Sequence, residues 1–308
     1  MSKQTTISTS ISLSGKGLHT GKQVTVTFKP APVHHGIFFQ RIDLPGKPIV
    51  KALGTNVFDT SRGTSIKENN AEVRTIEHLM AALAGMGIDN VRVLIQGPET
   101  PILDGSSRVY VEMLREAGLK KLDAPRKYGT VKKEITFSIP EKDVLLTIRP
   151  ADHFKMTVDI DYGTKVLADQ QAVLNNIEDF YPEVYDCRTF VFLDELQFLI
   201  QNGLVRGGDL ENAIVFVDKV PEKNVLKELA QFFNKSNIKV TPDHVLNNIT
   251  LRHSNEPARH KLLDLVGDLY LLGVPLRAEV IASRPGHFAN TSLAKEISHN
   301  EDFFVTFE

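Results

Sequence analysis

The stretch Glu256-Pro257-Ala258-Arg259-His260-Lys261-Leu262-Leu263-Asp264-Leu265-Val266-Gly267-Asp268-Leu269-Tyr270 carries two superimposed patterns. Pro257 suits the first turn of a helix, where its missing N–H is not needed, and Gly273 is placed to end one. Leu262, Leu263, Leu265, Val266, Leu269 and Leu272 form an apolar stripe at helical spacing, as in a helix buried on one side. His260, Asp264 and Asp268 recur every fourth residue along one edge of that helix, so an imidazole and a carboxylate one turn apart can point at the same small cation. Taken alone, such a pair is usually a surface contact contributing roughly a few tenths of a kcal/mol. Here both carboxylates border the apolar stripe, and a partly buried charge requires a partner or a metal. The pattern therefore calls for a third ligand and a base.

A chain of 308 residues with 42% hydrophobic residues can bury a full core, and its length suggests two domains or one large one. The net charge of -2 gives no support for bulk nucleic-acid binding, so no nucleic-acid partner is expected. The single Cys187 excludes an internal disulfide and fits a reducing compartment. Met1 to Leu13 is rich in Ser and Thr and lacks the features of a secretory signal, and no apolar run is long enough to span a bilayer. The expectation is a soluble, cytoplasmic protein with no transmembrane segment.

Ile7 to Leu13 alternates as a strand does. Ser14 to Gly21 follows as a glycine-rich turn, with His19 at its tip, before the alternating run Val24 to Phe28. This loop joins strand to strand and is neither a Walker loop nor a dinucleotide fingerprint, so a tight hairpin is the plainer reading. Gly36 to Ile66 has short strand-like pieces broken by Pro45, Gly46, Pro48 and Gly54, with Ser61 to Thr64 as a loop. Val73 to Leu83 is expected to be a helix ending at Gly85. Glu77 and His78 are adjacent on it and project in different directions, so one can bind a metal while the other reaches water beside it.

Asn90 to Gln96 is expected to be a strand, Asp104 to Ser107 a turn and cap, and Tyr110 to Ala117 a helix. Lys120 to Lys127 has the composition of a linker. Beyond it the plan of the first half returns in outline, with strands near Thr130 to Phe137, Val144 to Arg149 and Lys155 to Ile160. No residue-level repeat is visible, but two α+β layers of similar plan are expected. Cys187 to Ile200 is rich in Phe and Leu and leads to the strand-like Asn212 to Val217. Composition allows either a core helix or the wall of an apolar tunnel. Arg284-Pro285-Gly286-His287-Phe288-Ala289-Asn290 places a histidine on a turn, where Asp268 could orient it as an acid.

Gly17-Leu18-His19-Thr20-Gly21, Thr75-Ile76-Glu77-His78-Leu79, Gly87-Ile88-Asp89-Asn90, Arg188-Thr189-Phe190, Arg259-His260-Lys261-Leu262-Leu263-Asp264, Gly267-Asp268-Leu269 and Gly286-His287 resemble, in order, the motifs of the LpxC family. That family is the zinc-dependent UDP-3-O-acyl-N-acetylglucosamine deacetylase of lipid A synthesis. The final Val305-Thr306-Phe307-Glu308 is similar to its closing strand. The resemblance implies that His78, His260 and Asp264 bind Zn2+ and that Glu77 accepts a proton from water. Thr189, with help from the charge of Lys261, would stabilise the oxyanion, and His287, oriented by Asp268, would be cationic. The sequence leaves open whether Glu77 or His287 protonates the departing amine.

The family fold implies two similar α+β domains with the site in the cleft between them. They are expected at 1–125, with a small strand insert, and 126–308, with an apolar acyl-chain insert at about 187–217. Phe190, Phe192, Leu196, Phe198, Ile200, Leu204 and Val215 would form the acyl passage, and Tyr162 and Arg284 fall near the nucleotide end. Arg284 stands where a lysine is common. The chain departs from simple family members between Val217 and Glu256, with a helix-like Val225 to Asn234 and strand-like Ile238 to Val240 and Val245 to Leu251. That lengthening resembles a subgroup fused to a hydroxyacyl-ACP dehydratase, which implies a fused domain beyond this chain. Two rival readings stand beside deacetylation of the acylated UDP sugar: hydrolysis of another N-acyl amino sugar, and a catalytically silent lipid- or nucleotide-binding module.

Overall fold

Val24, Val26 and Phe28 are buried while the threonines between them are only half-buried, the alternation of a strand with one face on a core. The computed structural model, which describes residues 2–219, 221–246 and 249–307, repeats this logic twice. The first half runs β1 (Lys3–Ile7), β2 (Ile11–Lys16), β3 (Gln23–Pro30), β4 (Ile37–Arg41), β5 (Ile49–Lys51), β6 (Val57–Asp59), β7 (Ser65–Glu68), β8 (Ala71–Val73), α1 (Glu77–Gly85), β9 (Val91–Gln96), α2 (Arg108–Ala117) and β10 (Leu119–Pro125). The second begins with β11 (Lys127–Val131), β12 (Ile135–Ile139), β13 (Val144–Pro150), β14 (Lys155–Ile160), β15 (Gln170–Leu174), α3 (Phe180–Glu183), β16 (Phe190–Phe192) and α4 (Leu193–Gln201). It continues with β17 (Ile214–Phe216), α5 (Lys223–Phe232), α6 (Glu256–Leu269), β18 (Ala278–Ser283), α7 (His287–His299) and β19 (Phe303–Phe307).

The fold is α+β, and its halves share one topology. A five-stranded sheet in the first half has the order β2-β3-β9-β4-β5, and one in the second has the order β12-β13-β18-β14-β15. In each, the last strand in sequence is inserted at the centre, parallel to one neighbour and antiparallel to the other. In each half a helix precedes this central strand and another follows it. Each half also pairs its first strand with its last, β1 with β10 and β11 with β19. The outline repeat seen in the sequence is thus a repeat of connections, and hydrophobic patterning carries it without residue identity.

α6 packs on β14 and β15, α7 on β12 and β13, and α1 lies against α6. The α1–α6 approach is close because Gly267 has no side chain. A Cβ there would sit 2.2 Å from the Glu77 carbonyl oxygen and 3.0 Å from the Ala81 nitrogen. Leu79, Met80 and Leu83 of α1 and Leu262, Leu263 and Leu265 of α6 are all fully buried.

Several expected boundaries move. The first helix starts at Glu77, because Val73 pairs with Ile66 in a hairpin and Thr75 then takes a left-handed conformation, φ 56°. Gly85 is its last residue, not the residue past its end. The expected single strands at 7–13 and 130–137 are each split into two. The charged segment 120–127 is strand on either side of Arg126. Lys120 and Lys121 are exposed on a two-stranded ribbon, which is why the composition of the segment resembles a linker. His287 opens α7 and is not held on a free turn. The region after β17 is wound as expected into α5, and Val240 and Val245 join bridges to Leu246 and Phe216. Asn247 and Asn248 of the expected strand 245–251, like Met1 and Glu308 at the ends of the expected domains, lie outside the described residues. Among the described residues no helix is long and apolar enough to cross a membrane.

Replacing Gly267 by alanine forces a methyl group into the Glu77 backbone, and overpacking of this kind costs about 1–3 kcal/mol. The expected outcome is a lower midpoint of denaturant unfolding together with weaker metal retention. Wild-type values of both would show that α1 and α6 do not depend on this contact.

Candidate metal centre and active-site cleft

His78 at the start of α1 and His260 and Asp264, one turn apart on α6, meet where the two helices touch. Their ligand atoms lie within 4.8 Å of one another, and all three residues are buried. Asp264 Oδ1 is 3.6 Å from His78 Nε2 and 3.4 Å from His260 Nε2, and it has no hydrogen-bond partner. His260 Nδ1 lies 3.1 Å from the Cys187 carbonyl oxygen, so that nitrogen donates and Nε2 is left with its lone pair toward the cluster. Burial pushes the His260 imidazole down to about 3, which keeps it neutral. Burial alone would raise Asp264, but His260, Lys261 and His287 hold it well below the usual carboxylate range. Two imidazole nitrogens and an ionised carboxylate with an orphaned buried oxygen are the set a small divalent cation satisfies.

Asp186, Cys187 and His253 form a second group of possible ligand atoms. It fits a cation less well. His253 Nε2 already contacts Asp186 Oδ1 at 3.0 Å, burial raises the Cys187 thiol, and Arg252 and Arg259 lie beside it.

Glu77 and His287 face each other across the cluster, with His287 Nε2 3.9 Å from Glu77 Oε1 and 4.0 Å from Asp264 Oδ2. Burial raises the Glu77 carboxyl above its ordinary value. Gly63, at φ 154°, lets its loop approach Glu77, since a Cβ there would lie 2.6 Å from Oε1. Asp268 Oδ2 accepts from His287 Nδ1 at 2.9 Å. Burial would lower the His287 imidazolium, but Asp268, Asp264 and Glu77 raise it to about 9. Lys261 donates to Asp264 Oδ2 at 3.1 Å and lies over the Phe190 ring; burial would lower its ammonium, but Asp264 raises it.

Thr189 is pinned through its backbone, its N–H on the Gly105 carbonyl at 2.8 Å and its carbonyl accepting from Ile214 at 2.8 Å. The Arg188 before it is locked in a buried ion pair with Glu256, at 2.8 Å. Thr189 and Phe190 line both a cavity of about 250 Å³ over the cluster and a neighbouring one of about 270 Å³. The first also receives Tyr162 and Phe192, whose rings are 5.6 Å apart. The second is apolar, walled by Leu196, Phe198, Leu199, Leu210 and Val215. Leu196, Leu199, Leu210 and Val215 belong to or pack on a separate hydrophobic cluster that also takes in Leu229, Phe233, Ile238 and Leu246, well past Val217, whereas Phe198 is exposed. Ile200 packs on the outside of that cluster, and Leu204 offers its carbonyl oxygen to His19 Nδ1, 3.0 Å away. His19 Nε2 faces the Arg62 carbonyl oxygen at 3.2 Å, so the glycine-rich turn is fastened to the rim of both cavities.

Arg284, expected near the nucleotide end, lies apart from the cluster. Its guanidinium is engaged by Asp161 at 2.5 Å and Asp143 at 3.3 Å, in a separate acidic cleft. Thr64 and Asn290, both buried, were not recognised in the sequence, yet each donates to Asp268. Asn290 lies three residues after His287, a helical spacing that would have pointed to it once α7 was recognised. Thr64 carries no such signal, because only folding brings its loop to α6.

Fold and site together define an α+β protein with a metalloenzyme-type centre at the contact of two topologically repeated halves. The profile of the family LpxC, UDP-3-O-acyl N-acetylglycosamine deacetylase, matches residues 4–232 and 228–299, and the chain belongs to that family. It is 44% identical over 302 residues to the bifunctional enzyme LpxC/FabZ of Chlorobaculum tepidum, covering 97% of this chain and 65% of that protein. Against the bifunctional enzyme LpxC/FabZ of Porphyromonas gingivalis it is 42% identical, covering 98% and 66%. Against the UDP-3-O-acyl-N-acetylglucosamine deacetylase of Myxococcus xanthus it is 39% identical, covering 96% and 86%. The chain thus spans just under two thirds of the length of the bifunctional relatives.

Removing a ligand atom should abolish tight metal binding, whereas Glu77 can be lost without it. His78→Ala and Asp264→Ala are expected to weaken metal affinity by more than the roughly 10- to 100-fold typical of outer-shell changes. Metal content after dialysis measures this, and Glu77→Ala should retain the wild-type amount.

Proposed function

We propose that this chain hydrolyses the N-acetyl group of UDP-3-O-acyl-N-acetylglucosamine, giving the free amine and acetate, an early committed step of lipid A synthesis in the cytoplasm. The observation that carries the reading is the meeting of Glu77 and His287, with Nε2 and Oε1 3.9 Å apart, over the His78, His260 and Asp264 cluster at the mouth of an apolar cavity. Family membership supplies the substrate class. Domains at 1–125 and 126–308, each with one of the repeated sheets, would place the chemistry at their junction. A fused dehydratase unit beyond this chain is also proposed, from the share of the bifunctional relatives it spans; the mass of the natural polypeptide checks it.

His78, His260 and Asp264 would hold zinc, which in such a site polarises an amide carbonyl and lowers the pKa of water toward about 7. Glu77 takes a proton from the attacking water as its oxygen bonds to the acetyl carbon. The oxyanion that develops lies within reach of Thr189 and of the Lys261 and His287 cations. When the C–N bond breaks, the nitrogen takes a proton from Glu77 or His287 and acetate is left. Phe190, Phe192 and Leu196 would receive the acyl chain and Tyr162 the sugar side. The ion pairs of Arg284 with Asp161 and Asp143 would have to open for it to meet a nucleotide.

Acetate release from the acylated UDP sugar is expected to stop with chelator and return with zinc. Absence of release from zinc-loaded protein, with turnover of a different N-acyl amino sugar, would favour that rival substrate. Glu77→Ala should lower turnover by about 100-fold or more while keeping metal, since general-base catalysis is worth roughly 10²–10⁴.

The pH dependence follows from the two perturbed groups. Glu77 must be ionised, and because burial raises its carboxyl while a bound dication draws it down, activity falls on the acid side as Glu77 is protonated. His287 must be protonated, so activity falls as the pH rises through about 9, a limit that a bound dication draws downward. His287→Gln should lose most activity and this alkaline limb together; an unchanged limb would assign it to another group.

A further inference from the structure

Glu77 and Asp268 are the two buried carboxylates at this site outside the candidate metal ligands, and they come from opposite halves of the chain. One residue touches both. Thr64 donates its backbone N–H to Glu77 Oε2 at 2.8 Å and its hydroxyl to Asp268 Oδ1, with that hydroxyl oxygen 3.3 Å from His287 Nδ1. Its carbonyl accepts the N–H of Ile76 at 3.1 Å, at the entry to α1. Thr64 is itself fully buried, as is Asp268, so water is not available to replace these bonds. Asp268 Oδ2 is already committed, accepting from His287 Nδ1 and Asn290 Nδ2, each at 2.9 Å.

The Thr64 hydroxyl is therefore what occupies the other Asp268 oxygen. A carboxylate held at one oxygen only can swing about its Cβ–Cγ bond. The imidazole hydrogen-bonded to it then loses its aim. Held at both, it keeps His287 Nε2 directed at Glu77 and the cluster. The Thr64 amide likewise occupies Glu77 Oε2 and leaves Oε1 facing His287.

We infer that Thr64 is a positioning residue that couples the base and the acid of the site, its hydroxyl fixing the Asp268 carboxylate and, through it, the His287 ring. This rests on the deacetylase reading for its kinetic consequence, though not for its geometry. An orienting partner of this kind typically changes activity 10- to 100-fold when removed.

The test uses the full, zinc-loaded chain carrying Thr64→Val, which keeps the shape and loses the hydroxyl, and Thr64→Ser, which keeps the hydroxyl. Two quantities are read: steady-state deacetylation, and the His287 ring signals by NMR in protein labelled with ¹⁵N-histidine. The valine variant is expected to lose about 10- to 100-fold in kcat with KM nearly unchanged. It should also shift the His287 Nδ1–H signal, and serine should restore both. Combined with His287→Gln, the valine change should cost almost nothing further, because residues acting through one another are not additive.

A valine variant with wild-type kcat and an unmoved His287 signal would overturn the inference, as would losses that multiply in the double variant. If the valine variant does not fold, Thr64→Ala against Thr64→Ser makes the same comparison, with loss expected in alanine alone. If the wild-type chain releases no acetate, the proposed function fails. The His287 signal in the serine and valine variants then still decides the role of Thr64.

Discussion

The close crossing of α1 and α6 at Gly267 is the contact on which the rest of the site depends. One backbone oxygen, that of Glu77, occupies the space where any other residue at 267 would place its Cβ. Because the helices meet backbone to backbone at that level, His78 on one faces His260 and Asp264 on the other, with the two imidazoles edge to face at 5.1 Å. Larger residues at the crossing would hold the axes farther apart, toward the 8–10 Å usual for packed helices. The repeated topology serves this contact, since each half delivers the helix that precedes its central strand to the shared interface.

Bringing three carboxylates into one buried volume is electrostatically costly unless each is compensated. Asp268 is compensated entirely by hydrogen-bond donors from Thr64, His287 and Asn290. Asp264 has Lys261 on one oxygen and an unfilled acceptor on the other. Glu77 has the Thr64 amide on one oxygen and only the more distant His287 at the other, and burial consequently raises it. The three environments differ in a way that suits three roles in the proposed reaction: an orienting anion for Asp268, a metal-binding oxygen for Asp264, and a proton acceptor for Glu77.

Much of this was legible in local pattern. The helix at 256–269 follows from Pro257, the leucine stripe and Gly273, all of which act within the segment itself. The α1 boundary was not legible, because Val73 is as compatible with a helix as with the hairpin that claims it, and pairing with Ile66 decides. The ribbons at 119–131 were obscured by their lysines, since exposed edges are charged for the same reason linkers are. α7 was missed although Ala289, Leu293, Ala294 and Ile297 are buried along it, because the Arg284-Pro285-Gly286 turn drew the reading toward a loop. Arg284 falls near the nucleotide end by resemblance to the family, and its pairing with Asp143 and Asp161 is a contact that no local pattern announces.

By itself the sequence determined the α+β class, the helix that carries His260, Asp264 and Asp268, and the set of residue types able to hold a metal and move a proton. These are properties of spacing along one segment or of side-chain chemistry, and both survive without knowledge of the fold. Only the tertiary structure decided that the helix bearing His78 crosses the one bearing His260 and Asp264 at Gly267, that Thr64 links two carboxylates lying 13 and 204 positions from it in the chain, and that Arg284 pairs with Asp143 and Asp161 away from the cluster. Those are contacts between residues distant in sequence, selected by how whole helices and loops pack, and no local period encodes them.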